Sequence, residues 1–147
     1  MPEAVPFVEE LAIAAAMIAG TVFFHAVVIS ALAAVFRATS ARVWGPLRFF
    51  RDAFVLAAES LVLMAAHTAE VFAWSLLFLK LDAFRSLEES FYFSGVAYST
   101  LGFGDVLLPD EWRILAGSLA ANGMLLFGLS AAFLLESASR LRIGEEH

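Results

Sequence analysis

The sequence predicts an all-α membrane protein: three transmembrane helices, with a re-entrant helix and an irregular loop between the second and the third. Three observations carry this. Of 147 residues, 61% are hydrophobic and only 16% charged, against about 45–50% and about 25% in soluble domains. A soluble chain this short leaves too much surface in water to hide so much apolar area. The apolar residues gather into three long runs, and the polar chemistry gathers between the second and third. One domain fits the length. The absence of cysteine excludes disulfides, thiolate metal sites and thiol nucleophiles together. The net charge of −6 argues against a nucleic-acid partner.

The first run, residues 11–36, carries no formal charge, and His25 is its one titratable group. It opens behind Glu3, Glu9 and Glu10, where a signal peptide would be basic. The second, residues 53–79, is interrupted by Glu59, His67 and Glu70, and the third, residues 114–135, by Asn122, with the helices expected over 53–80 and 112–136. A bilayer core needs roughly 20 apolar residues as helix, so each run can span. Arg37, Arg42, Arg48 and Arg51 lie between the first two runs, and Arg140 and Arg142 follow the third. Positive residues mark the cytoplasmic side, which puts the N-terminus outside and the C-terminus inside. No appended soluble domain is expected, and no helix has the arginine spacing of a voltage sensor.

The stretch from Asp82 to Glu111 is too long for a tight turn and too apolar for a free loop. Ser86 and Glu89 fit a capping box and open a helix over 86–99, about 20 Å long and too short to cross. Glu88 and Glu89 suit its positive end, so it enters from outside with its negative C-terminus at membrane depth. Ser99-Thr100-Leu101-Gly102-Phe103-Gly104-Asp105 follows. Glycines at alternate positions permit backbone angles that other residues resist. Irregular backbone at this depth must be buried or line a wet cavity, and carbonyl rings that replace a cation's hydration shell meet both needs.

Thr100-Leu-Gly-Phe-Gly-Asp105, behind a short helix and between two spans, resembles the pore signature of potassium channels. The resemblance covers residues 53–136 and implies a two-helix pore with the first span as a peripheral helix. It implies that the carbonyls of Thr100, Leu101, Gly102 and Phe103 coordinate K+, that Gly104 allows the outer turn, and that Asp105 braces the filter. Tyr92 and Phe93 fall where the family has an aromatic cuff. Val96 stands where many prokaryotic members carry Glu, so the Glu–Asp bridge behind the filter is missing. Phe103 in place of Tyr loses a phenolic hydrogen bond. One filter segment per chain implies a homotetramer in a lipid bilayer, with potassium as the permeant ligand, no organic cofactor, no organic substrate and no catalytic activity. The bare pore module and the lack of Cys suggest a prokaryotic plasma membrane.

Other residues have two readings. Gly117, Ala121, Gly128 and Ala132 form small-xxx-small pairs that mean close helix packing, while Gly123 or Gly128 could bend an inner-helix gate as in the family. Asn122 either makes an interhelical hydrogen bond or faces the cavity, and the family's geometry favours the cavity. Glu59, His67 and Glu70 share one stripe of the second span at about 100° per residue, with His25 at matching depth on the first. That stripe reads first as a satisfied polar cluster pinning two helices, then as a pH sensor, then as a metal or haem site. The rivals to a potassium channel are a weakly selective cation channel, a small redox or metal-binding subunit built on the His/Glu cluster, and a non-conducting partner of a larger channel.

Overall fold

The computed structural model describes residues 7–39 and 47–141. Arg42 and Arg142 of the basic segments, and Glu3, lie outside the described residues. Four α-helices follow one another: α1 (Phe7–Thr39), α2 (Leu47–Lys80), α3 (Leu87–Tyr98) and α4 (Arg113–Leu141), with a short 3-10 turn at Asp110–Trp112 before α4. The described residues contain no strand. Pro6, Pro46 and Pro109 each stand immediately before a helical segment, where a missing N–H costs nothing, and no proline interrupts one. Three of the helices are long and apolar enough to cross a membrane. They outrun the apolar runs, starting at residues 7 and 47 and ending at 141. The flanking Glu, Arg and Leu residues are good helix formers and continue the coil past the apolar boundary.

Cross-helix hydrogen bonds give the topology. Glu10, Thr21 and His25 of α1 meet Ile114, Asn122 and Ser130 of α4, so these helices run parallel. Glu59 and His67 of α2 meet Ser137 and Ser130 in reverse order, so α2 runs antiparallel to α4. Charged side chains hold both ends of α4. Glu10 Oε1 accepts from the backbone N–H of Ile114 (2.8 Å) and Leu115 (3.1 Å), placing a carboxylate on the positive end of the helix dipole. Arg48 Nη2 donates to the Leu141 carbonyl at 3.0 Å, placing a cation on the negative end.

α2 ends in a left-handed cap. Asp82 has φ +54, Ala83 N–H bonds the Phe78 carbonyl and Asp82 N–H that of Leu79, the paired bonds of a Schellman turn. This reverses the chain so that α3 returns against α2, where Ser90 Oγ donates to the Ser75 carbonyl at 2.8 Å. Trp74, Phe78, Tyr98, Leu115, Leu119 and Leu126 are the fully enclosed core between α2, α3 and α4. Outside that core most apolar side chains, such as Phe23, Phe54, Met64 and Leu135, point outward, as expected where lipid or another subunit is the solvent.

Candidate functional site

The pore segment begins with the capping box. Ser86 has an extended backbone and its hydroxyl accepts from Glu89 N–H at 3.1 Å. α3 runs twelve residues to Tyr98 and closes on Ser99, whose N–H and hydroxyl both return to the Gly95 carbonyl. Thr100 N–H then bonds Ala97 O (3.0 Å), and Leu101 N–H bonds Val96 O (3.0 Å). Beyond this point φ is positive at Thr100 (+60°), Gly102 (+58°) and Gly104 (+76°), while Leu101 and Phe103 stay in the ordinary range. Glycine enters the left-handed region freely. A β-branched Thr does so only under constraint, the kind of strain that gathers at functional sites. Positive φ thus recurs at every second residue from Thr100 to Gly104. The Leu101 and Phe103 side chains are 59% and 64% exposed on the single chain.

Asp105 follows and is exposed. Tyr92 Oη donates to its Oδ2 at 2.7 Å, and Val106 N–H to its Oδ1 at 3.1 Å. The Tyr92 hydrogen bond holds the Asp105 carboxyl below its ordinary value.

Several expected placements change. Phe93 is not part of a cuff with Tyr92; one residue on along the helix, it turns about 100° away and is buried against Phe78 and Phe84, with ring centroids 5.6 and 5.1 Å apart. Val96 meets the segment through its carbonyl, which also receives Gly102 N–H at 3.4 Å. Asn122 does not face a cavity: it is buried toward α1, where Nδ2 donates to Thr21 Oγ1 at 2.8 Å. The parallel pairing of α1 with α4 puts that face of α4 in a helix contact. Gly123 and Gly128 both sit within the unbroken α4. A Cβ at Gly123 would lie 1.9 Å from the Tyr98 carbonyl oxygen, whereas one at Gly128 would meet nothing within 4 Å. Gly123 is therefore the point where the end of α3 rests on α4.

The intramembrane polar residues form a second centre. His25 Nδ1 is 2.8 Å from Glu70 Oε1, and His25 Nε2 is 3.0 Å from Ser130 Oγ. Ser130 Oγ is also 2.9 Å from His67 Nε2, and His67 Nδ1 is 2.8 Å from Tyr98 Oη. Tyr98 Oη donates to Glu70 Oε2 at 2.5 Å and closes the circuit. Residues from α1, α2, α3 and α4 thus make one ring of five hydrogen bonds in which every partner is buried. Five bonds need five protons. Tyr98, Ser130 and two neutral imidazoles bring four, and the fifth resides on Glu70 or on a histidine, which leaves the ring neutral and each group satisfied. Glu59 lies apart from it, accepting from Ser137 Oγ at 2.6 Å, since the eight residues to His67 carry it about 12 Å down the helix. Tyr98 and Ser130 were missed in the sequence. Ser130 lies two turns from Asn122, but Ser118 shares the same run, so neither was singled out.

A family model described as an ion channel matches residues 65–140, from the middle of α2 to the end of α4. No curated protein and no solved structure gives a match. The matched segment contains the C-terminal half of α2, the short α3, the alternating loop and nearly all of α4. The chain belongs to the two-transmembrane ion-channel pore family.

Proposed function

We propose that the protein is a potassium-selective channel, working as a homotetramer in a prokaryotic plasma membrane with its N-terminus outside. The observation that carries this reading is the alternation of positive φ at Thr100, Gly102 and Gly104 directly after a short helix. Four such segments around one axis stack rings of carbonyl oxygens from Thr100 to Phe103, with Gly104 at the outer turn. An ion entering them exchanges its hydration shell for carbonyls. The C-terminal end of α3 adds partial negative charge behind the filter. One chain supplies a quarter of each ring, and alone it would leave these backbone groups facing lipid at several kcal/mol each. Conduction is passive and uses no organic cofactor.

The weakly selective reading has its own support. Val96 is aliphatic and Phe103 lacks a hydroxyl, so Asp105 is braced through Tyr92. One measurement decides between the two: the reversal potential of protein reconstituted in planar bilayers, with potassium on one side and equimolar sodium on the other. The potassium-selective reading requires a large displacement toward the potassium equilibrium potential. A reversal potential near zero refutes it and leaves the weakly selective pore.

A further inference from the structure

The buried ring has a donor geometry that goes beyond tying helices together. On one side of the two imidazoles, His25 Nδ1 is 2.8 Å from Glu70 Oε1, and His67 Nδ1 is 3.3 Å from Glu70 Oε2 and 2.8 Å from Tyr98 Oη. One donor atom from each of His25, His67 and Glu70 lies within 4.8 Å of the other two. These three residues are 0%, 5% and 1% exposed. On the opposite side both Nε2 atoms end on a single oxygen, Ser130 Oγ, at 3.0 and 2.9 Å. A serine oxygen has two lone pairs and can accept from both Nε2–H groups at once. When Ser130 accepts from both, each Nδ1 lone pair is free for an ion, the outer-shell support that histidine ligands ordinarily have; when its proton goes to one Nε2 instead, it closes the five-proton ring.

We propose that His25, His67 and Glu70, with the Tyr98 oxygen as fourth donor, bind a divalent first-row transition metal ion. Two imidazole nitrogens select against the hard K+, Mg2+ and Ca2+ and suit Zn2+ and its neighbours, and three or four N/O donors meet the coordination number of zinc. The proton balance closes. The metal-free ring holds five protons; in the loaded site one stays on each Nε2, one on Ser130 and one on Tyr98, and Glu70 is a carboxylate. Each ion therefore displaces one proton, and a second if Tyr98 binds as phenolate. In that second case Glu70 and Tyr98 cancel the charge of the ion, so the apolar interior holds no net charge. A cleft of about 280 Å³ between α1 and α2, lined by Gly20, Thr21, Ala69 and Ala73, reaches Glu70 and supplies an approach. Serine proton donation can turn to the carbonyl of its own helix.

The inference does not rest on the potassium reading, because its test needs no ion flux. Tag-free, full-length protein in mild detergent is stripped with a chelator and titrated with Zn2+, reading bound metal and released protons, with Co2+ as a spectroscopic substitute. The expected result is one ion per chain, release of one to two protons per ion, and ligand-field bands of a low-coordinate nitrogen–oxygen site. His147→Ala removes the third histidine of the chain and should leave this binding unchanged. His25→Ala and Glu70→Gln should abolish saturable binding, and Ser130→Ala should weaken it about 10–100-fold. Glu70→Gln and Ser130→Ala nearly keep the side-chain volume and carry the test if His25→Ala fails to assemble. Substoichiometric uptake, or uptake that survives Glu70→Gln, means an adventitious ion only and overturns the proposal; the ring is then held by protons alone.

Discussion

The segment proposed as the filter and the buried ring lie within a few residues of each other, yet they are built on opposite terms. In the role proposed for Thr100 to Gly104 the chemistry is carried by backbone oxygens, and one chain supplies an incomplete structure. In the ring the chemistry is carried by side chains, every donor and acceptor has a partner, and one chain supplies all of it. Tyr98 belongs to both: its hydroxyl closes the ring, its carbonyl rests on Gly123, and two residues later the left-handed alternation begins. A site made of backbone depends on φ and so on glycine. A site made of side chains depends on burial and so on which helices meet.

Substitutions that respect or violate those terms should separate the two regions. The largest effect belongs to Gly102→Ala. At φ +58 a Cβ costs about 1–2 kcal/mol per chain, and in the proposed tetramer every chain bears that cost, so bilayer recordings should show potassium current abolished. Gly123→Ala comes next. Its Cβ would stand 1.9 Å from backbone that cannot step aside, and overpacking of this kind costs about 1–3 kcal/mol or more. Thermal unfolding in detergent should reveal the loss, while Gly128→Ala, which meets nothing within 4 Å, should be neutral or stabilising by up to about 1 kcal/mol. If the two variants behave alike, Gly123 is not the seat of α3.

A smaller effect is expected at the N-terminal end of α4. Glu10→Gln keeps a hydrogen-bond acceptor for Ile114 and Leu115 but removes the charge from the helix dipole, a change worth about 0.3–1 kcal/mol, to be read from the same unfolding curves. The smallest concerns Asp105. Its carboxyl is held below the ordinary value by Tyr92, so the ionised brace is fully present above about pH 4 and is lost only as pH falls through the lowered folded value. Tyr92→Phe should move the acid loss of current upward, toward an ordinary carboxylate near pH 4. An unchanged acid limb would separate the Tyr92–Asp105 hydrogen bond from conduction.

The two regions also differed in how far they could be read in the sequence. The capping box at Ser86 and Glu89, the short helix and the alternating glycines are contiguous, so local rules reach them, and the three apolar runs need only length. What escaped was what depends on helix rotation. Phe93 and Tyr92 are neighbours that face different ways. Asn122 turned toward Thr21 because α1 lies parallel to α4, a pairing that no periodicity in either helix announces. His25, His67 and Glu70 were visible as polar exceptions in apolar runs, but Tyr98 reads as another aromatic and Ser130 as another small residue. Thr100 at φ +60 is a surprise of another kind, since its residue type argues against the conformation it adopts.

The parallel pairing of α1 with α4 has a consequence for biosynthesis. α1 is made before α4, but Glu10, Thr21 and one side of His25 find partners 104, 101 and 105 residues later in the chain. Glu70, 45 residues on, is the earlier anchor. Until α4 is made, α1 is a membrane helix with polar groups awaiting their counterparts, and the hairpin of α2 and α3 is the more nearly finished piece. An early helix is thus completed by a late one, and a chain stopped before α4 would hold the polar face of α1 through Glu70 alone.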